Sequence, residues 1–298
     1  MSLELNQLRT FVAVSRQGNV VRAADTLQLT ASPVSRTLRE LERSVGPLFD
    51  REYHRMRLTD LGRRLLPTAV RTVLQADDLV TLAHGRTPTV RYAATPWIPE
   101  EFARRLARAA LDAGDAEDAE AAMSSVLLHR MEHGELDIAL VHLPVRTPEI
   151  AAMAMARYQF LLAVAATDQL AQRDSVSSAD LVGRTVLLPP VSMQPAAMGP
   201  LLAWLHGCGV EKITEIDLAD VPMLSTKLRR RGTVSLVTAD ATGMIRPSPA
   251  VVTIPFARDN PEFHVGIAWR TGDPLRDERL SRIVATLRPV DGRLAAIG

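Results

Sequence analysis

At 298 residues, 47% hydrophobic and 23% charged, the chain has a globular composition with room for two or three compact units, which argues against disorder or a fibrous architecture. Its formal net charge of +1 conceals an uneven distribution: residues 1–86 hold 13 arginines against 9 acids, and the remainder 22 basic against 25 acidic groups. No apolar run is long enough to span a bilayer, the N-terminus lacks a secretory pattern, and the single Cys208 rules out an intramolecular disulfide, so a cytoplasmic protein is expected.

Leu5, Leu8, Phe11, Val12 and Ser15 place an apolar stripe on a first helix that stops at Gly18. A second helix follows, capped by Asn19, with Val20, Ala23, Ala24 and Leu27 at helical spacing. After a turn at Gln28 and Leu29, Thr30 can cap a third helix with Pro33 in its first turn, where a missing N–H costs nothing. Val34, Leu38, Leu41 and Val45 form its inner stripe. Ser32, Ser35, Arg36, Arg39 and Arg43 form its outer one, hydroxyls and forked guanidiniums suited to phosphates and guanine edges in a major groove. Gly46 and Pro47 end the helix. Arg51, Arg55 and Arg57, around Tyr53 and His54, suit a short two-stranded hairpin facing a phosphate backbone. Thr59 caps a long helix to about His84, which Pro67 should bend or break. Its seam of Leu65, Ala69, Thr72, Ala76, Leu79 and Ala83 wants a partner helix.

Leu8-Arg9-Thr10-Phe11, Ala23-Ala24, Val34-Ser35-Arg36, Leu41-Glu42, Leu48-Phe49-Asp50-Arg51 and Leu58-Thr59-Asp60-Leu61-Gly62 together resemble the winged helix-turn-helix of LysR-type transcriptional regulators. The chain departs from that family at Ala31, where glutamine is usual, and at Gly46-Pro47, where one intervening residue is usual, implying a tighter turn into the wing. The resemblance implies a helix over residues 59–86 that pairs two subunits. It also implies an effector-binding domain beyond the breaker-rich boundary at residues 85–88.

From there strand-like runs alternate with helical stretches: Thr89–Ala94, Leu136–Val141, Tyr158–Ala166, Thr185–Leu188, Ile213–Leu218, Thr233–Thr238, Val251–Pro255 and His264–Trp269, with a weaker candidate at Asp118–Met123. Alternation of this kind predicts an α/β fold with parallel sheets. The family resemblance continues through Gly134-Glu135-Leu136-Asp137, Ser178-Ala179-Asp180-Leu181-Val182-Gly183, Arg231-Gly232-Thr233-Val234 and Ala268-Trp269-Arg270. The expected architecture is an N-terminal all-α winged helix-turn-helix (1–58), a long linker helix (59–86), and a C-terminal α/β domain (87–298) of two doubly wound, periplasmic-binding-protein-like subdomains. Subdomain I covers about 89–160 and 265–298, subdomain II about 161–264, with crossover strands near Phe160–Val164 and Pro261–Val265.

In such sheets ligands sit beyond the carboxyl ends of strands, beside helix N-termini. That rule, matched to the effector contacts the resemblance implies, selects Thr95 and Trp97, Ser124 with Ser125 beside it, His142, and Ser192 ahead of Gln194. Each also has a plain structural reading, since Ser and Thr cap helices and Trp97 can fill a core. The expected ligand is small, mostly apolar or aromatic, with at most one acidic group, and its affinity falls with pH if a protonated His142 pairs with that acid. No motif supports catalysis or a cofactor. His129 and His133, with Glu132 between, lack a third ligand and read as a solvated face, so no metal site is expected. The partners implied are double-stranded DNA, a small-molecule effector, a second copy in a homodimer or homotetramer, RNA polymerase if the protein activates, and no membrane. The alternatives are a regulator without a small-molecule effector and an enzyme fused to a DNA-binding head.

Overall fold

The apolar spacing of the first sixty residues yields the elements it predicts. The computed structural model describes residues 3–52, 55–96, 98, 100–114, 116–118, 120–216, 223–238, 249–258, 261–288 and 295–297. It divides into two units, Met1–Thr89 with Arg130–Leu136, and Val90–His129 with Asp137–Gly298.

In the first unit, helices α1 (Leu5–Gln17), α2 (Val20–Thr26) and α3 (Ala31–Val45) precede a hairpin of β1 (Phe49–Glu52) and β2 (Arg55–Leu58), then helix α4 (Asp60–Ala83). Asn19 Oδ1 accepts from the backbone N–H groups of Val21 (2.7 Å) and Arg22 (3.3 Å), satisfying two donors that α2 would otherwise leave open. Thr30 occupies the N-cap of α3, but its hydroxyl makes no capping bond. Phe11, Val14, Ala23, Val34, Leu38, Leu41, Leu48 and Ala69 bury together as one core. Two of the motifs act at the junction of α3, hairpin and α4. Glu42 Oε1 accepts from Leu48 N (3.0 Å) and Phe49 N (3.2 Å), while Thr59 accepts from Gly62 N (3.0 Å) and donates to Pro47 O (2.8 Å). Gly62 is required by close approach, because a Cβ there would stand 2.3 Å from Leu48 O. Of the two outcomes expected at Pro67, a bend or a break, the break does not occur: α4 is one helix with Pro67 inside it.

The second unit holds β3 (Val90–Ala94), α5 (Glu100–Asp112), β4 (Ala116–Asp118), α6 (Ser124–Glu132), β5 (Ile138–Leu143), β6 (Ile150–Ala165), β7 (Thr185–Leu188), α7 (Pro195–Gly207), β8 (Lys212–Glu215), α8 (Leu224–Leu228), β9 (Thr233–Thr238), β10 (Val251–Pro255), β11 (Glu262–Arg270), α9 (Asp277–Leu287) and β12 (Ala295–Ile297). Strand order is β4-β3-β5-β11-β6-β9-β7-β8, with β10 and β12 also paired to β6. The sheets are mixed, not parallel as predicted. β3, β4 and β5 run parallel, as do β7, β8 and β9, but β11 is antiparallel to β5, and β6 to β11, β9 and β10. β6 crosses between the two subdomains: its first part pairs with β11 and its last residues with β9 and β10.

Several strand boundaries differ from expectation. β6 begins at Ile150, eight residues before the predicted start, because pairing with β11 overrides the weak strand preference of Ala151–Met155. β5 begins at Ile138, since Asp137 turns its carboxylate to Arg91 N (2.8 Å), Nε (3.0 Å) and Nη2 (2.8 Å), with Arg276 Nε at 3.4 Å. The weaker candidate at Asp118–Met123 is misplaced, since β4 is Ala116–Asp118 and residues 120–123 form no strand, and the predicted Ile213–Leu218 runs beyond β8 into residues outside those described. Each subdomain has its own core, one around Leu106, Ile138, Leu140, Ile267 and Ile283, the other around Leu162, Val186, Leu201, Leu205 and Val234. Cys208 packs, partly buried, against the latter.

Candidate functional site

The outer face of α3 is built by burying its opposite side. With Val34, Leu38 and Leu41 in the core, Ser32, Arg36, Arg39 and Arg43 are exposed and Ser35 is half-buried. Arg39 Nε donates to Ser35 O (3.1 Å), and Arg43 Nη2 stands 3.9 Å from Glu40. Arg36 has no side-chain partner among the described residues. Its guanidinium is therefore free to form a two-pronged contact with a base edge or phosphate. In the hairpin, Arg51 aligns with Met56, Glu52 with Arg55 and Asp50 with Arg57. Arg57 is exposed; Arg51 and Arg55 sit on the strands, and Tyr53 and His54 lie outside the described residues.

Along α4, Ala69 and Val70 are buried against the rest of the unit, whereas Thr72, Leu79, Val80 and Leu82 are open to solvent, Leu79 at 67%. A groove of about 430 Å³ lined by Leu3, Leu5, Leu8, Val45, Leu65 and Thr72 lies beside this helix. Apolar side chains left exposed along one helix favour association with a matching surface.

In the second unit the topology brings together most of the predicted polar residues. Thr95 follows β3 and His142 lies near the end of β5, two parallel neighbours, while Ser124 opens α6. All three are buried, Thr95 at 2% and His142 at 3% exposure. Ser124 Oγ accepts from His142 N (2.9 Å) and lies 3.0 Å from Nδ1. With the ring proton on Nε2 the hydroxyl donates to Nδ1; with it on Nδ1 the hydroxyl accepts a second bond. Phe263 meets the imidazole edge-on at 5.3 Å, and Phe160 meets Phe263 at 5.7 Å, so the ring sits among aromatics from the two crossover strands.

Burial pushes the His142 imidazole down from its ordinary 6.5 to about 4. It is neutral at pH 7, so the condition for a pH-dependent pairing with an acidic ligand, a protonated His142, is not met there. The Thr95 backbone N–H is used, donating to Leu140 O (2.9 Å), but its buried Oγ1 has no hydrogen-bond partner among the described residues. A buried hydroxyl without a partner is costly unless something else supplies one.

Ser192 differs from expectation. It lies in a short turn, Val191–Met193, with its side chain exposed, and takes part through its carbonyl, which accepts from Ser125 Oγ (2.6 Å). Gln194 is the buried contributor from this segment: Nε2 donates to His142 O (3.1 Å) and Pro144 O (3.4 Å). Sequence reasoning passed over its side chain, although its place just before the Pro195 start of α7 was a usable signal. Trp97 lies outside the described residues. His133 is only 9% exposed while His129 is exposed, so the two do not share a solvated face.

The family model described as "Bacterial regulatory helix-turn-helix protein, lysR family" matches residues 5–63, and "LysR substrate binding domain" matches residues 118–290. The regulator ShiR of Corynebacterium glutamicum (strain R) is 27% identical over 91% of this chain and 94% of its own length. The Hca operon transcriptional activator HcaR of Escherichia coli (strain K12) is 25% identical over 95% and 100%. Among solved structures, a full-length OxyR variant from Pseudomonas aeruginosa superposes with a TM-score of 0.70 at 20% identity, covering 97% of this chain and 95% of its own. CbnR complexed with its target DNA gives 0.64 at 18%, covering 96% and 99%. No described helix is long and apolar enough to cross a membrane. An arginine-faced third helix in a winged head, followed by a two-subdomain α/β unit that the substrate-binding model matches, places the chain in the LysR family of DNA-binding transcriptional regulators.

Proposed function

We propose that a dimer, or a tetramer built from dimers, binds an imperfectly two-fold DNA site, and that a small molecule between the two α/β subdomains selects among arrangements of the heads. Ser32, Ser35, Arg36, Arg39 and Arg43 on α3 read the major groove, and Arg51, Arg55 and Arg57 of the wing hold the phosphate backbone. One reading helix covers only a few base pairs, so repeated half-sites and paired subunits are needed. The exposed apolar run on α4 supports the pairing. The reading divides the chain at about residues 58, 86 and 160, and contact with RNA polymerase follows if the protein activates.

The observation that supports the effector half is the Thr95 hydroxyl, buried and without a hydrogen-bond partner among the described residues. Thr95, Ser124, His142 and Gln194 offer hydrogen bonds but no positive charge, and aromatic rings flank His142. Further charge on a ligand would be desolvated without compensation. The effector is therefore a small, mostly apolar or aromatic compound with at most one acidic group. It acts only by binding one arrangement more tightly than another. A thermal-shift screen tests this: aromatic monoacids and neutral aromatics should stabilise the full chain. Selective stabilisation by di- or tricarboxylates, unchanged in His142→Ala, would contradict it.

A further inference from the structure

Subdomain II carries a concavity at the opposite ends of its strands from Ser192 and Gln194. Arg184 and Gly232 directly precede β7 and β9, which run parallel, whereas Ser192 and Gln194 follow the far end of β7. The end of β6, antiparallel to β9, brings Ala165, Thr167 and Asp168 to the same side. Gly183 (φ 70°) and Gly232 (φ 76°) turn the chain there, and a Cβ on either would meet nothing within 4 Å. The result is a pocket of about 490 Å³ lined by Thr167, Asp168, Arg184, Arg229, Arg230 and Arg231 among others. That size is within the range of small-molecule sites.

Its charge is one-sided. Arg184 donates to both oxygens of Asp168 (2.7 and 3.3 Å). Burial works against ionisation of that carboxyl, but the Arg184 bonds and charge and the Leu170 N–H hold it below its ordinary range. This pair cancels itself. Arg229, Arg230 and Arg231 are exposed, have no side-chain partner among the described residues and line the hollow, where the acid beside them, Asp168, is already paired to Arg184. Guanidinium forks match the oxygens of phosphate groups, and a concave site concentrates their field.

We propose that this pocket is a second ligand site, separate from the effector cleft, which binds a small phosphate-bearing polyanion through Arg229, Arg230 and Arg231, with the Arg184–Asp168 pair as its fixed floor. It gives the regulator a second chemical input, distinct from the apolar or aromatic compound proposed for the cleft.

Titration calorimetry of the full chain with inorganic pyrophosphate, at ionic strength held constant with potassium chloride, tests it. Wild type should bind saturably. Arg230→Ala/Arg231→Ala should bind at least about tenfold more weakly, because it removes two charge-assisted contacts. Both residues are exposed, so the variant should unfold at the wild-type temperature without ligand. Arg36→Ala should bind pyrophosphate as wild type does, which separates this pocket from the arginines of the head. No saturable binding by wild type, equal affinity in the double variant, or the same loss in Arg36→Ala overturns the proposal. It also falls if the double variant binds pyrophosphate normally but loses affinity for DNA, since the arginines would then be a DNA contact.

Discussion

Replacing Thr95 by valine should make the protein more stable and less responsive at once. Valine matches threonine in shape and removes the buried Oγ1 that finds no partner. Burying an unpaired hydroxyl costs about 1–3 kcal/mol, so its removal should stabilise the ligand-free protein by about 1–2 kcal/mol. In a domain of roughly 200 residues that raises the unfolding temperature by about 2–8 °C. The same hydroxyl is the group offered to the effector, so ligand-induced change in DNA binding should be lost while DNA affinity without ligand is unchanged. Thermal unfolding of wild type and variant, paired with DNA-binding titrations with and without a stabilising compound from the screen, gives both readouts. A variant that is no more stable and still responds at the wild-type effector concentration would show that the hydroxyl is satisfied and structural.

Because the His142 value of about 4 in the folded protein lies below the ordinary 6.5, the unfolded chain binds more protons between those pH values. The stability contributed by a neutral His142 is present above about pH 6.5 and lost as pH falls toward 4. It amounts to about 3 kcal/mol at most. Denaturant titrations across that window should show the fall, and His142→Gln should flatten it; an unchanged slope in the variant would assign the effect elsewhere. Gly62→Ala should destabilise the head by about 1–3 kcal/mol, since its Cβ would meet Leu48 O at 2.3 Å. An unaltered unfolding midpoint would mean that the start of α4 can move aside. Leu79→Asp should turn a dimeric or larger protein into monomers in sedimentation at micromolar concentration, and an unchanged assembly would remove α4 from the interface.

The head was legible because its determinants are local. Asn19 caps the helix that directly follows it, and the Val34–Leu38–Leu41 spacing fixes which face of α3 turns outward. In the second unit, long-range pairing decided what propensity could not. Ala151–Met155 favours helix as an isolated segment, yet forms strand because β11 lies alongside. Gln194 and His142 are 52 residues apart, so the bond between them leaves no spacing signature. The charge state of His142 was open in the sequence for the same reason: its type sets a value near neutrality, and only the packing of Phe263 and Ser124 around it reveals the desolvation. The places of Thr95 and Ser124, after β3 and at the start of α6, were readable because strand ends and helix starts follow from chain order.

Selection of bound sequences from a random duplex library by the full-length protein, repeated with Arg36→Ala and Arg57→Ala, tests the central claim most directly. Wild type should enrich an imperfectly two-fold motif with half-sites one helical turn, or a multiple of it, apart. Arg36→Ala should cost about 1–3 kcal/mol on that motif and relax the preference at the same position of both half-sites. Arg57→Ala should weaken binding to all sequences alike and reduce its salt dependence. An unrepeated motif, or equal losses on selected and random DNA for both variants, would contradict the assignment of α3 as the reader and the wing as the phosphate clamp.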